Sequence, residues 1–113
     1  KFRYKSKGVS VAQDTVKVSF EVSNTGKYDG DEVAQVYVKY PETGTYMPLK
    51  QLHGFKRVHI KKGKTSKVTV GVPKKDLRYW DEQERKFVTP KGEYTFMVGA
   101  SSEDIKFRET VGL

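Results

Sequence analysis

Residues 15–24 read "TVKVSFEVSN", and in them Val16, Val18, Phe20 and Val22 alternate with Lys17, Ser19 and Glu21. Successive side chains of a strand point to opposite faces, so this period of two describes a strand with one face buried and the other in water. The same alternation runs outward from it in both directions. In "EVAQVYVKY" (32–40) the inward set is Ala34, Val36, Val38 and Tyr40; in "KVTVGV" (67–72) it is Val68, Val70 and Val72. "EYTFMVGA" (93–100) supplies Tyr94, Phe96 and Val98, and "DIKFRETVGL" (104–113) supplies Ile105 and Phe107. A short opening strand over Phe2 to Val11 joins them.

Turn clusters separate these runs: "NTGKYDGD" (24–31), "PETGTYMP" (41–48), "IKKGKTSK" (60–67), "VTPKGE" (88–93) and "ASSED" (100–104). Their Gly, Pro, Asn, Asp and Ser residues supply the backbone conformations that turns need. Strands at this spacing, with no long helical window, predict an all-β antiparallel sandwich of about seven strands. One stretch departs from the pattern, "KKDLRYWDEQ" (74–83). Asp76 is placed to cap a short helical turn over 76–81, with Leu77 and Trp80 on one face, plugging an end of the sandwich. The expected core residues are Phe20, Val36, Val70, Trp80, Tyr94 and Phe96.

With 113 residues the chain has the length of one domain, and 1–113 is read as a single unit. One Trp, seven Tyr and six Phe supply a core, so the charged fraction of 32% does not imply disorder. No cysteine is present, which excludes a disulfide framework and thiolate zinc sites. No apolar run approaches 18 residues, so no membrane partner is expected. The chain opens on Lys1 and reads as a piece of something larger.

The net charge of +8 is uneven: residues 50–91 hold 13 basic and 4 acidic groups, while residues 1–49 hold 7 and 6. Such asymmetry points either to an anionic partner or to lysines decorating exposed turns. The cluster Lys61, Lys62, Lys64 and Lys67 falls on a turn without an aromatic residue to stack on bases, so it reads as solvated and nucleic acid is not an expected partner.

Candidate chemistry is thin. His53 and His59 lie six residues apart, roughly 20 Å along a strand, too far to share a metal. Asp29, Asp31 and Glu32 could offer oxygens to calcium, but the longer ligand set of an EF-hand loop is missing, and a polar turn is the simpler reading. No phosphate-binding glycine loop, nucleophile elbow or zinc-protease helix occurs. The acids fall in turns or on the polar side of strands, with nothing to hold two of them around a substrate. No catalytic residue, metal ligand or cofactor is therefore expected.

Four segments, in order, carry a resemblance: "VSNTGKYDGDEVAQVYV" (22–38), "PLKQLHGFKRV" (48–58), "DLRYWD" (76–81) and "PKGEYTFMVGASSEDI" (90–105). Together they resemble the C-terminal fibronectin type III-like domain of family 3 glycoside hydrolases, the β-glucosidases and β-xylosidases, over essentially the whole chain. The resemblance implies an immunoglobulin-like sandwich excised from a larger multidomain enzyme whose other domains hold the catalytic groups. It implies a non-catalytic accessory domain whose partners are those catalytic domains, and a bacterial periplasmic or secreted parent that cleaves terminal β-glycosides with retention. It also makes Tyr94 a candidate corner tyrosine, and Trp80 the large core ring that ordinary type III domains take from their second strand.

In "PLKQLHGFKRV" the apolar residues fall three apart, which an extended chain accommodates if it is irregular near Gly54. Val58 and Ile60 then face inward, and Phe55, Arg57 and His59 share the other side. Either these three form a docking patch against a neighbouring domain, or Phe55 folds into the core at the irregularity. The competing function is a polysaccharide- or polyanion-binding module built on the basic middle segment.

Overall fold

The computed structural model describes residues 1–41, 51–89, 91–101 and 103–113. The turn expected at 41–48 and the start of "PLKQLHGFKRV" therefore lie largely outside the described residues, as do Pro90 and Ser102 within two other turns. Among the described residues nine strands follow in order: β1 (Phe2–Ala12), β2 (Thr15–Asn24), β3 (Gly30–Lys39), β4 (Gln51–Ile60), β5 (Thr65–Pro73), β6 (Tyr79–Asp81), β7 (Lys86–Val88), β8 (Glu93–Gly99) and β9 (Ile105–Gly112). Seven of them make two antiparallel sheets, β1-β2-β5 and β4-β3-β8-β9, and β6 and β7 form a separate hairpin. The sandwich expected from the alternation is the fold.

Register turns alternation into one core. On β2, Val16, Val18 and Val22 are fully buried and Phe20 nearly so; β3 adds Ala34, Val36 and Val38, β5 adds Val68, Val70 and Val72, and β8 adds Tyr94, Phe96 and Val98. Branched side chains dominate because a pleated surface packs them at little further loss of rotamer freedom. Rings fill the ends: Tyr4 stacks on Phe20, and Tyr94 packs on Tyr40 with centroids 5.5 Å apart.

The segment after β5 differs from expectation. A single 3₁₀ turn covers Lys74–Asp76, Asp76 closes it rather than capping it, and no side chain bonds its start. The chain leaves the turn at Leu77 and is extended only from Tyr79, so Leu77 and Trp80 share no helical face. Leu77 accordingly enters the core, fully buried, while Trp80 is 46% exposed. Trp80 is not a core residue. Its indole meets Phe87, its cross-strand partner, edge to face at 5.2 Å, and the Arg78 guanidinium covers Phe87 at 4.7 Å.

Candidate functional site

β4 is an edge strand, and its pairing with β3 contains one irregularity. Val36 opposes Gly54 and Tyr37 opposes Leu52, so His53 is an extra residue. A bulge of this kind turns two consecutive residues toward one side. Gly54 faces the core, where an added Cβ would stand 2.9 Å from Val70 Cγ1, and only glycine fits without displacing that valine. His53 turns toward Tyr40, whose hydroxyl lies 2.8 Å from His53 Nε2 and 3.4 Å from the Asp76 carbonyl. Burial lowers the His53 pKa, opposed by the nearby Asp76 charge. Burial likewise raises Tyr40, to about 12. Both groups are thus held neutral.

Past the bulge, Phe55 opposes Gln35, Arg57 opposes Val33 and His59 opposes Asp31. These three share the outer face, and Ile60 is buried on the inner one. Phe55 is 68% exposed, so it does not fold into the core; Leu52 on the same face is 51% exposed. Asp31 ties the polar pair together. One carboxylate oxygen accepts from Arg57 Nε at 3.1 Å and Nη2 at 2.7 Å, and the other meets His59 Nδ1 at 2.5 Å. These bonds, that of Arg57 first, hold the Asp31 carboxyl below its ordinary pKa. Arg57 therefore already has a carboxylate within the domain, and Phe55 is the more exposed of the two large apolar side chains on this face.

The acids at the end of the β2–β3 connection and the start of β3 go to separate partners. Asp29 accepts the Lys62 amide at 2.9 Å, Asp31 holds Arg57 and His59, and Glu32 accepts the Tyr4 hydroxyl at 2.9 Å. Among the described residues no three metal-ligating side chains converge. Two features escaped the sequence reading. The Tyr40–His53 contact depends on which residue the bulge inserts. The Trp80–Phe87–Arg78 cluster depends on extended rather than helical backbone at 79–81; the short aromatic run after Asp76 and the turn residues at 82–85 are the signals that would have found it.

A three-stranded and a four-stranded antiparallel sheet packed face to face over one core make this an immunoglobulin-like β-sandwich. A family model described as a fibronectin type III-like domain matches residues 32–102. The chain is 45% identical over 94 residues to a protein named probable beta-glucosidase D of Emericella nidulans, and 44% identical over 93 residues to its namesake of Aspergillus niger; 82% of this chain is covered in each case. A crystal structure of a beta-glucosidase from Kluyveromyces marxianus in complex with glucose superposes on all of this chain with a TM-score of 0.94 at 33% identity. Beta-glucosidase 3B from Thermotoga neapolitana superposes on 99% of it at 0.93. The chain spans 12% of the length of these curated relatives and 14% and 16% of the two solved chains. The chain belongs to the fibronectin type III-like domain family.

Proposed function

We propose that this domain is a non-catalytic accessory module of a family 3 β-glycosidase that cleaves terminal β-D-glucosides or β-xylosides with retention, and that it packs on and stabilises the catalytic domains. The docking surface is the outer face of β4, with Phe55 as anchor and Arg57 and His59 as its polar rim. The exposure of Phe55 and Leu52 side by side carries this reading. Apolar side chains grouped on an outer sheet face do nothing for the domain's own core, whereas a buried ring ringed by polar groups is how interfaces concentrate their energy. Relatives roughly seven times longer leave room for a partner surface in the same polypeptide.

Phe55→Ala tests it in two settings. In the isolated domain the substitution leaves the melting temperature nearly unchanged, because little is lost with an exposed ring. In the full-length enzyme it lowers thermal stability by a clear margin. Equal effects in both settings remove the docking surface. A chromogenic β-glucoside offered to the isolated 113 residues is expected to remain uncleaved; turnover would overturn the accessory reading.

A further inference from the structure

The lysines gather elsewhere than where the sequence clusters them. On the sheet β1-β2-β5, burial of Val16, Val18, Phe20 and Val22 leaves Lys17, Ser19, Glu21 and Ser23 on the outer side. Register sets Arg3 opposite Ser23 and Lys5 opposite Glu21 on one flank, and Lys67 opposite Glu21 on the other. The register shift between Ser6 and Gly8 puts Lys7 on the same face, with Nζ 3.9 Å from Glu21. Arg3, Lys5, Lys7, Lys17 and Lys67 therefore stand against the single carboxylate of Glu21 on the outward positions of three strands. Among the described residues, none of Arg3, Lys5, Lys17 and Lys67 makes an ion pair.

Between the cations run hydroxyls. Ser19 and Thr69 are paired across strands at 3.3 Å, and Ser23 and Thr65 at 2.7 Å. A shallow groove lined by Lys7, Ser19, Glu21, Lys67 and Thr69 crosses the face, with the buried Phe20 and Val68 at its floor. None of these outward positions carries an aromatic ring, so bases have nothing to stack on and a protein partner has no apolar anchor. Among the described residues no helix presents itself to a groove of duplex nucleic acid. What remains is a flat, hydroxyl-bearing surface with excess positive charge, whose neighbouring strands repeat at about 5 Å. Its complement is an extended polymer with regularly spaced anionic groups and many hydroxyls.

We propose that this face binds a carboxylated polysaccharide, its carboxylates held by the five cations and its hydroxyls by the Ser and Thr pairs. The face lies on the opposite side of the sandwich from Phe55, so docking on catalytic domains and polymer binding occur together. Such a module would hold its enzyme against acidic polymer while the catalytic groups act on glycosides nearby.

Affinity electrophoresis of the 113-residue chain in gels containing polygalacturonate tests this, with mobility normalised to polymer-free gels. The native chain is expected to be retarded by polygalacturonate at low salt, with retardation falling as salt rises. The triple variant Lys5→Ser, Lys17→Ser, Lys67→Ser, checked for folding by circular dichroism, is expected to bind about tenfold more weakly. The turn variant Lys61→Ser, Lys62→Ser, Lys64→Ser is expected to keep most of the binding. No retardation at low salt overturns the proposal, as does loss of binding confined to the turn variant. Equal retardation by duplex DNA would make the interaction charge alone and overturns the polysaccharide assignment.

Discussion

The side-chain amide of Asn24, at the end of β2, donates to the main-chain carbonyl of Ile60, at the end of β4, over 2.8 Å. The two residues belong to different sheets, so this bond crosses the sandwich. The same amide donates to the Tyr28 carbonyl at 2.8 Å, and its oxygen accepts the Gly26 amide at 2.9 Å. The Asn24 backbone bonds the β4–β5 turn as well, donating to the Lys64 carbonyl and accepting from the Gly63 amide. One buried asparagine thus sets the β2–β3 connection beside the β4–β5 turn.

Asn24 is 2% exposed, so removing its amide strands the Ile60 carbonyl, whose bond to it is buried. Asn24→Leu is expected to lower unfolding free energy by about 2–4 kcal/mol. Asn24→Asp should be comparably destabilised at neutral pH, because a carboxylate still accepts from Gly26 but cannot donate to Ile60 or Tyr28. Urea denaturation measures both. A loss below about 1 kcal/mol in each would show that the crossing bond is not what joins the sheets there.

Leu77 and Trp80 invert the usual ranking by size. Leu77 is fully buried in the core, and its replacement by alanine is expected to cost about 2–5 kcal/mol. Trp80 loses only its edge contact with Phe87 and partial burial, so Trp80→Ala is expected to cost about 0.5–1.5 kcal/mol. Denaturant midpoints of the two variants decide it, and a larger loss at Trp80 than at Leu77 would contradict the packing.

These two residues also show where the sequence is readable. Alternation is a local property, and from Val16 to Val22 or Val68 to Val72 it fixes which side chains are buried without reference to anything else. At 76–81 the spacing of three fits a helical face, and the choice between helix and hairpin depends on Phe87, a pairing partner seven residues beyond Trp80. The irregularity near Gly54 was legible from the broken apolar pattern, but not that His53 would be the inserted residue. The basic face was hidden for another reason. Arg3, Lys5, Lys7 and Lys17 lie in a segment whose charges nearly cancel, and in the fold Asp29, Asp31 and Glu32 of that segment bond Lys62, Arg57 and Tyr4 instead.

His53 makes stability depend on pH in a direction its surroundings determine. Burial, partly offset by Asp76, holds its folded-state pKa below the ordinary 6.5, so the unfolded chain takes up the proton first as pH falls. The stability due to neutral His53 is complete above 6.5, is lost as pH falls through the folded-state value, and declines no further below it. Asp31 acts in a lower window. Its carboxyl is held below 3.8, chiefly by Arg57 and then by His59, so its contribution persists above 3.8 and is lost only as pH falls through the depressed value. The melting temperature of the native chain is therefore expected to fall relative to that of His53→Gln as pH drops below about 6.5. Glutamine has no proton to gain and can still bond the Tyr40 hydroxyl, and contributions from the rest of the chain cancel in the comparison. Parallel profiles for the two proteins across that range would mean that His53 takes up its proton equally in the folded and unfolded chain, and that the Tyr40 contact does not exclude water from the imidazole.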